Sequence, residues 1–399
     1  MIVTRLLALA GALVVLGGAS PAAAKVNSLY ALRYGANVNL LLPYDPVRLV
    51  PSGPAIRMGH FASAWSVSPD RTRFVAAAGW RPRTGQAASI RFVNLAAGRV
   101  EGTVSFPGEF RRVTATAWIR GRVLVVVSGS ESTRIYSVDP RIRAVVSQVD
   151  VAGTVVSGER AQSGLVLLLA RPDSVGPATV AVVDQTPRAR TIVLDRISVG
   201  TTVTGTGQDR RTAVRKPALA LGPSGLRAYL FGAGEPAASI DLRRLAVRYA
   251  PTRQTTTANK QIEGSVRTAM ALPDGRLVVG GFDYGGSSGR AAALSLVDPK
   301  DWSRQVLDPA PSWYRVAGGL VFARGRGGVG LRILYPSGAV ADLFRTGSVA
   351  SVTVIGPRAF ITFFGTNTKA AIVELGSRRV VRHTVPANLL SGRGQQILG

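Results

Sequence analysis

A turn followed by an apolar run, met seven times along the chain, constrains the fold more than any other feature. Its clearest copy covers residues 66–106. There the turn Ser68-Pro69-Asp70-Arg71-Thr72 leads into an apolar run at 74–78, then a polar loop and a β-rich run at 90–95. The turn Ala96-Ala97-Gly98-Arg99 and a last run at 100–106 complete the unit. The first turn recurs as Arg120-Gly121-Arg122, Gln162-Ser163-Gly164, Pro223-Ser224-Gly225, Pro273-Asp274-Gly275, Ala317-Gly318-Gly319 and Gly356-Pro357-Arg358, at spacings of 39 to 61 residues. Several short strands in each unit of about 40–50 residues is the pattern of a radial β array. The fold class that follows is all-β: a β-propeller of seven or eight four-stranded antiparallel blades.

The strands themselves support this. Second strands at 74–78, 123–127, 165–169, 228–231, 277–279, 320–322 and 360–364 mostly lack polar alternation, so both of their faces are expected to be buried. Small residues precede each turn, as in Ala62-Ser63-Ala64 and Thr114-Ala115-Thr116-Ala117, and suit an inner strand crowded at the axis. Third strands are expected at 90–95, 134–138, 180–183, 238–242, 292–297, 331–334 and 371–375. Fourth strands are expected at 100–106, 145–151, 191–194, 245–249, 303–307, 339–344 and 380–385. Upstream, 29–33, 38–42 and 47–49 read as three more strands, the last running on toward Ile56. Eight blades result if 394–398 supplies the missing strand and closes the ring. Seven result if the N-terminal strands cover an end or merge with the last blade. The strand count leans to eight.

The first residues stand apart from this array. Arg5 precedes an apolar run at 6–16, and Ala22-Ala23-Ala24 resembles a cleavage signature before Lys25. The run is shorter than the ~20 residues of a spanning helix, so 1–24 is expected to be a secretory signal peptide and 25–399 a single propeller domain with no transmembrane segment after cleavage. A membrane anchor is the alternative. The chain has no cysteine, which excludes a lipoprotein anchor, disulfides, a thiol nucleophile and thiolate metal sites.

Net charge is +27, from 49 basic against 22 acidic residues. The lysines are Lys25, Lys216, Lys260, Lys300 and Lys369, and every other cation is an arginine. With abundant Ala, Gly and Val, this is the bias of a GC-rich genome, though that bias does not explain why acids are so few. Such a surface attracts polyanions. The arginines are scattered over turns and strand ends, so the field is diffuse and no specific nucleic-acid groove is expected.

Trp65-Ser66-Val67-Ser68-Pro69-Asp70, Arg91-Phe92-Val93-Asn94-Leu95 and Gly98-Arg99-Val100 resemble the repeats of YVTN-type and TolB-like β-propellers, with their "V-S-P-D-G" turn and "V-x-V-I-D-x-x-T-G-x-V" strand pair. Leu272-Pro273-Asp274-Gly275-Arg276 and Tyr136-Ser137-Val138-Asp139-Pro140 match in the same way. The resemblance covers most of 60–385. It implies the fold and says little of function, because propellers host enzymes, binders and scaffolds. Arg71 stands where the motif has Gly, and the third and sixth units lack Pro-Asp.

In a propeller the loops between second and third strands share a face with the links between blades. The long insertions fall there: links at 199–215 and 252–264, and loops at 78–87, 171–177 and 281–290. Long loops on one rigid face are where binding residues gather. The candidate ligand-binding residues are Trp80, Arg81, Asp283, Tyr284, Arg210, Arg211 and His60, with Arg83, Asp173, Lys260, Asn367 and Lys369 on the same face. In Phe282-Asp283-Tyr284-Gly285-Gly286, Asp283 and Tyr284 could bond a sugar or peptide; the plainer reading is a glycine-rich turn with a packed aromatic. His60 lacks a partner, since the only other histidine is the distant His383, and no metal site or cofactor is expected.

Three further patterns invite chemistry. Gly285-Gly286-Ser287-Ser288-Gly289 has the letters of a nucleophile elbow without its strand-to-helix context, and 325–330 resembles a phosphate loop without Lys-Ser/Thr or a helix. The tracts 201–204 and 255–257 read as flexible linkage or as ligand-contacting loops. Asp283 and Asp301 are the acids considered for glycosidic chemistry, and no loop pairs two acids. The five tryptophans do not recur at a fixed blade position, which argues against a quinoprotein repeat.

The expected function is therefore an exported, monomeric, non-catalytic propeller. It would recognise an extracytoplasmic protein or an anionic polysaccharide of the cell wall on its long-loop face. The alternative is a carbohydrate-active hydrolase or lyase, or another propeller enzyme, with its site at the central channel.

Overall fold

Alternate residues of the strand Gly164–Ala170 enter two different cores, and this explains how a row of strands becomes a ring. All seven residues are buried. Leu165, Leu167 and Leu169 pack with Leu124 and Val126 of the preceding unit. Val166, Leu168 and Ala170 pack with Leu219, Ala228 and Leu230 of the following one. A sheet apolar on both faces must be sandwiched by two others, and only a closed ring satisfies every sheet at once. Gly164 has its own reason to be glycine: a Cβ there would lie 1.9 Å from the carbonyl oxygen of Val183.

The computed structural model describes residues 29–33, 39–45, 48, 50–59, 61–78, 87–107, 112–205, 211–251, 264–285, 288–325, 328–363, 369–377, 380–384 and 395–398. Among these there is no α-helix, and the strands form eight antiparallel blades. Blades 2 to 8 follow the units of the sequence, with inner strands Phe61–Val67, Arg112–Ile119, Thr154–Arg160, Ala218–Leu221, Gly264–Ala271, Tyr314–Ala317 and Val349–Ile355. Blade 1 is composite. Its outer three strands are Leu29–Arg33, Asn39–Tyr44 and Ile56–Gly59, and its inner strand is Gln395–Leu398 from the far end of the chain. Tyr30 pairs with Leu398 and Arg33 with Gln395. The ring closes as the eight-blade reading requires.

One strand lies elsewhere than expected. The third N-terminal strand described is Ile56–Gly59; of the expected strand at 47–49, residues 47 and 49 lie outside the described residues. Arg48 is in a turn, where its amide donates to Asp45 Oδ1, while Asp45 N donates to the Val50 carbonyl and Ser52 N to that of Pro43. Pro51 and Pro54 have no amide hydrogen, so a continuous ladder resumes only at Ile56.

Two turn types repeat on the face opposite the long loops. In the first-to-second-strand turns, Arg71 N donates to Ser68 O, Gly225 N to Gly222 O and Gly275 N to Leu272 O. The third of these residues takes positive φ in each case: 59° at Arg71, 65° at Gly225 and 91° at Gly275. Arginine in that conformation costs roughly 1–2 kcal/mol, and the turn around it is reinforced. Ser68 Oγ donates to Asp70 Oδ1 at 2.5 Å, and Thr72 N donates to the same oxygen.

In the third-to-fourth-strand turns an aspartate holds the bend. Asp139, Asp184, Asp241 and Asp298 each accept from the amide two residues on, at 2.8 to 2.9 Å, and in blade 2 Asn94 accepts the Ala97 amide three residues on. This is the Asp of the strand-pair motif, explained as an Asx turn.

Seven of the interfaces between neighbouring blades carry a buried apolar cluster among the described residues. Phe106 stacks on Tyr136 at 4.5 Å between blades 2 and 3, and Trp302 meets Tyr229 and Phe231 edge-on between blades 5 and 6. The inter-blade seams are the core of the molecule.

Candidate functional site

The long-loop face is built largely of strands. Blade 4's outer strand, Ala189–Thr204, is 16 residues long. It pairs with the third strand, Val175–Asp184, on both sides of a bulge at Pro177/Ala178, as far as Gly200 opposite Val175. It then pairs antiparallel with Arg211–Lys216. That return strand lies parallel to the start of blade 6's inner strand, with Val214 opposite Gly264 and Lys216 opposite Val266. Blades 4 and 6 thereby join in one nine-stranded sheet that passes over blade 5. Pro217 has no amide hydrogen and ends the ladder just before the inner strand Ala218–Leu221.

The link at 199–215 is in large part paired strand, so the Thr-Thr-Val-Thr tract at 201–204 is ordered rather than flexible linkage. Its β-branched residues were a strand signal, and so was the 61-residue spacing of this unit, longer than any other.

Glu235, which sequence reasoning missed, fastens this hairpin. It sits in the second-to-third-strand loop of blade 5, and its Oε1 accepts the Ser198 amide at 3.0 Å. The carboxylate folds against Gly232, where a Cβ would meet Oε2 at 2.1 Å. Burial raises its pKa, opposed by the bond from Ser198 and the charge of Arg215.

Beside the hairpin, the expected loop at 281–290 is largely strand among the described residues: Leu277–Gly285 and Ser288–Val297 form a second hairpin, with a bulge at Val279/Gly281. Gly281 has φ 156°, and a Cβ there would lie 2.2 Å from the Val266 carbonyl oxygen. Asp283 is engaged by Arg267, Nη1 to Oδ1 at 2.6 Å and Nη2 to Oδ2 at 3.1 Å. Tyr284 lies over Gly264 and Phe282 over Gly289. Their rings are 5.0 Å apart at 48°, with Phe282 36% and Tyr284 46% exposed. Glycines opposite aromatics let the rings lie close to the sheet, while their outer faces stay open. Tyr314 packs on Gly280 alongside, its hydroxyl bonded to Thr268 Oγ1.

Of the seven ligand-binding candidates, the structure describes the side chains of Asp283 and Tyr284, and it adds Phe282 to them. Arg211 lies in the return strand, and nothing is described of its side chain. His60, Trp80, Arg81 and Arg210, with Arg83, Lys260, Asn367 and the expected signal peptide at 1–24, lie outside the described residues, as do 255–257. Asp173 is exposed in a turn at φ 49°, and Lys369 is in a strand of blade 8.

The patterns that invited chemistry have structural explanations. Gly285 and Ser288 face each other across the second hairpin, so no strand-to-helix elbow forms. Gly328 N donates to Gly325 O, a turn. Asp301 accepts the Ser303 amide in the third-to-fourth-strand turn of blade 6, on the face opposite Asp283. Among the described residues no group of three or more His, Asp or Glu could hold a metal ion, and no helix is long and apolar enough to cross a membrane.

No family model matches the chain, and no curated protein matches it in sequence. Solved structures do match. The dihydro-heme d1 dehydrogenase NirN in complex with DHE is similar at TM-score 0.60 and 12% identity, over 96% of this chain and 76% of that one. Sqt1 of Saccharomyces cerevisiae gives 0.51 and 9%, over 80% and 84%. Apo AztD from Citrobacter koseri gives 0.50 and 12%, over 93% and 96%. At these identities the likeness is one of fold alone, and it is to β-propeller proteins.

Proposed function

We propose that this chain is an exported, non-catalytic propeller that binds an extracytoplasmic protein or an anionic cell-wall polymer on its long-loop face. The observation that carries this reading is the joined pair of hairpins. They make a rigid sheet across the face and hold Phe282 and Tyr284 with their rings open to solvent. Rigid aromatic anchors bind at small entropic cost. The net charge would speed the approach of an anionic partner.

The use of the acids favours binding over hydrolysis. Asp139, Asp184, Asp241, Asp298 and Asp301 hold turns on the opposite face, while Asp283 faces Arg267 and Glu235 holds the hairpin. General acid–base work on a glycosidic bond needs two carboxyls flanking it.

The test is a salt-titrated binding screen of residues 25–399 against anionic wall polymers, extracytoplasmic proteins and neutral glycans. Saturable, selective binding that falls about tenfold in a Phe282→Ala/Tyr284→Ala variant of unchanged Tm is expected; tenfold corresponds to about 1.4 kcal/mol. Unselective polyanion binding that vanishes near 0.15 M salt, where charges are screened beyond about 8 Å, would reject the site.

A further inference from the structure

On the opposite face the inner strands of blades 4 to 7 surround a cavity of about 390 Å³, open to solvent at the mouth of the central channel. Leu221, Pro223, Met270, Pro273 and Val316 form its apolar wall, and Glu159 is the one charged residue in the lining among the described residues. We propose that this mouth is a binding site for a small organic cation, an amine or guanidinium on an apolar body, with Glu159 as its counter-charge.

Two features lack a structural reason within the chain. Met270 leaves 42% of its surface exposed here, although inner-strand residues such as Ala218 and Ala269 are buried. Glu159, at the end of the strand Thr154–Arg160, has no hydrogen bond or ion pair among the described residues. The other acids around this face are spent: Asp274, next to Pro273, is held by Arg276 at 2.6 Å, and Asp241 by the turn amides of Arg243 and Arg244.

Crowding by the channel wall pushes the Glu159 carboxyl up to about 7, with no neighbouring cation pulling it back. The residue is nonetheless exposed to solvent at the mouth.

The chemistry selects the ligand. A cation seated against the carboxylate supplies the missing partner, and its apolar body covers Met270 and Val316. A neutral isostere gains only the second term. An anion meets a carboxylate of like charge, which is repulsive. The volume is at the small end of ligand pockets, so it suits a compact molecule. The positive field of the whole chain opposes any cation at long range, which leaves selectivity to contact within the cavity. The inference is independent of the function proposed for the long-loop face, because it concerns the other end of the channel.

Isothermal titration of the full chain at pH 8, where the carboxyl is ionised, tests it. The probes are benzylamine and benzamidine, with benzyl alcohol and benzoate as neutral and anionic isosteres. Saturable binding of either cation is expected, at least tenfold tighter than benzyl alcohol, with benzoate silent. Glu159→Gln should remove that preference, and Met270→Trp, which fills the mouth and keeps the carboxylate, should abolish binding at unchanged Tm. The proposal is overturned if the cations bind no better than the alcohol, if Glu159→Gln binds them equally well, or if neither cation saturates at millimolar concentration.

Discussion

The hydroxyl of Tyr30 donates a 2.7 Å hydrogen bond to the carbonyl oxygen of Leu95, 65 residues away. It ties the composite blade 1 to blade 2 within the cluster of Leu41, Ile56, Met58, Phe74 and Val93. Tyr30 is 5% exposed, and burial raises its pKa. Tyr30→Phe keeps the ring packed and leaves the carbonyl without this donor. The expected cost is about 1–3 kcal/mol, read as a lower urea midpoint with an unchanged m-value. An unchanged midpoint would show that water or another donor replaces the hydroxyl.

The same blade depends on its last strand. A chain ending at residue 394 lacks Gln395–Leu398 and exposes the edge of Leu29–Arg33 at the axis. An unpaired edge invites pairing with another chain. Size-exclusion chromatography is expected to show concentration-dependent association, with a lower Tm. A truncated chain that stays monomeric at full Tm would mean that the ring is sealed without this strand.

The aspartate turns make stability depend on acid. Amide hydrogen bonds, from Arg141 to Asp139 and from Arg244 and Arg243 to Asp241, hold these carboxyls below their usual value. At Asp184 the bonds from Arg188 and Thr186 outweigh the opposing effect of desolvation. A lowered folded-state pKa contributes stability that is complete above the unfolded value, near pH 4, and is lost as pH falls through the folded value. Urea midpoints between pH 7 and pH 2 should show this loss. The triple variant Asp139→Asn/Asp184→Asn/Asp241→Asn keeps a side-chain acceptor at each turn and removes the titration. It should flatten the acid limb while remaining folded at pH 7. An acid limb identical to that of the parent would place the dependence on other carboxylates.

Gly200 permits the hairpin over blade 5. Its φ is 127°, and a Cβ there would lie 1.9 Å from the Ser174 carbonyl oxygen. Gly200→Ala is expected to cost at least about 1–3 kcal/mol of local strain. Amides of 201–204 and 212–216 should lose protection from hydrogen exchange while those of Gly164–Ala170 keep theirs. Unchanged protection would mean that the backbone can shift to accept the methyl.

What the sequence determined was whatever a few adjacent residues can specify. Turn chemistry located the bends between first and second strands, from Pro69-Asp70-Arg71 to Gly356-Pro357-Arg358. Unbroken apolar runs such as 123–127 identified the second strands, since residues buried on both faces leave no polar alternation. Strand count made blade 1 composite, with the C-terminal segment as its missing member. Composition gave the charge but no site.

Only the tertiary structure decided the rest, because it rests on partners distant in sequence. The parallel pairing of Val214 with Gly264 depends on an edge about 50 residues downstream, and parallel pairs carry no turn signature. Tyr284 reads more plainly as a packed aromatic of a glycine-rich turn; in the structure it and Phe282 lie over Gly264 and Gly289 with their outer faces exposed. Glu159 and Glu235 are both carboxylates in polar stretches. One folds under a hairpin and one faces a channel, a difference set by blades that their own strands never touch in sequence.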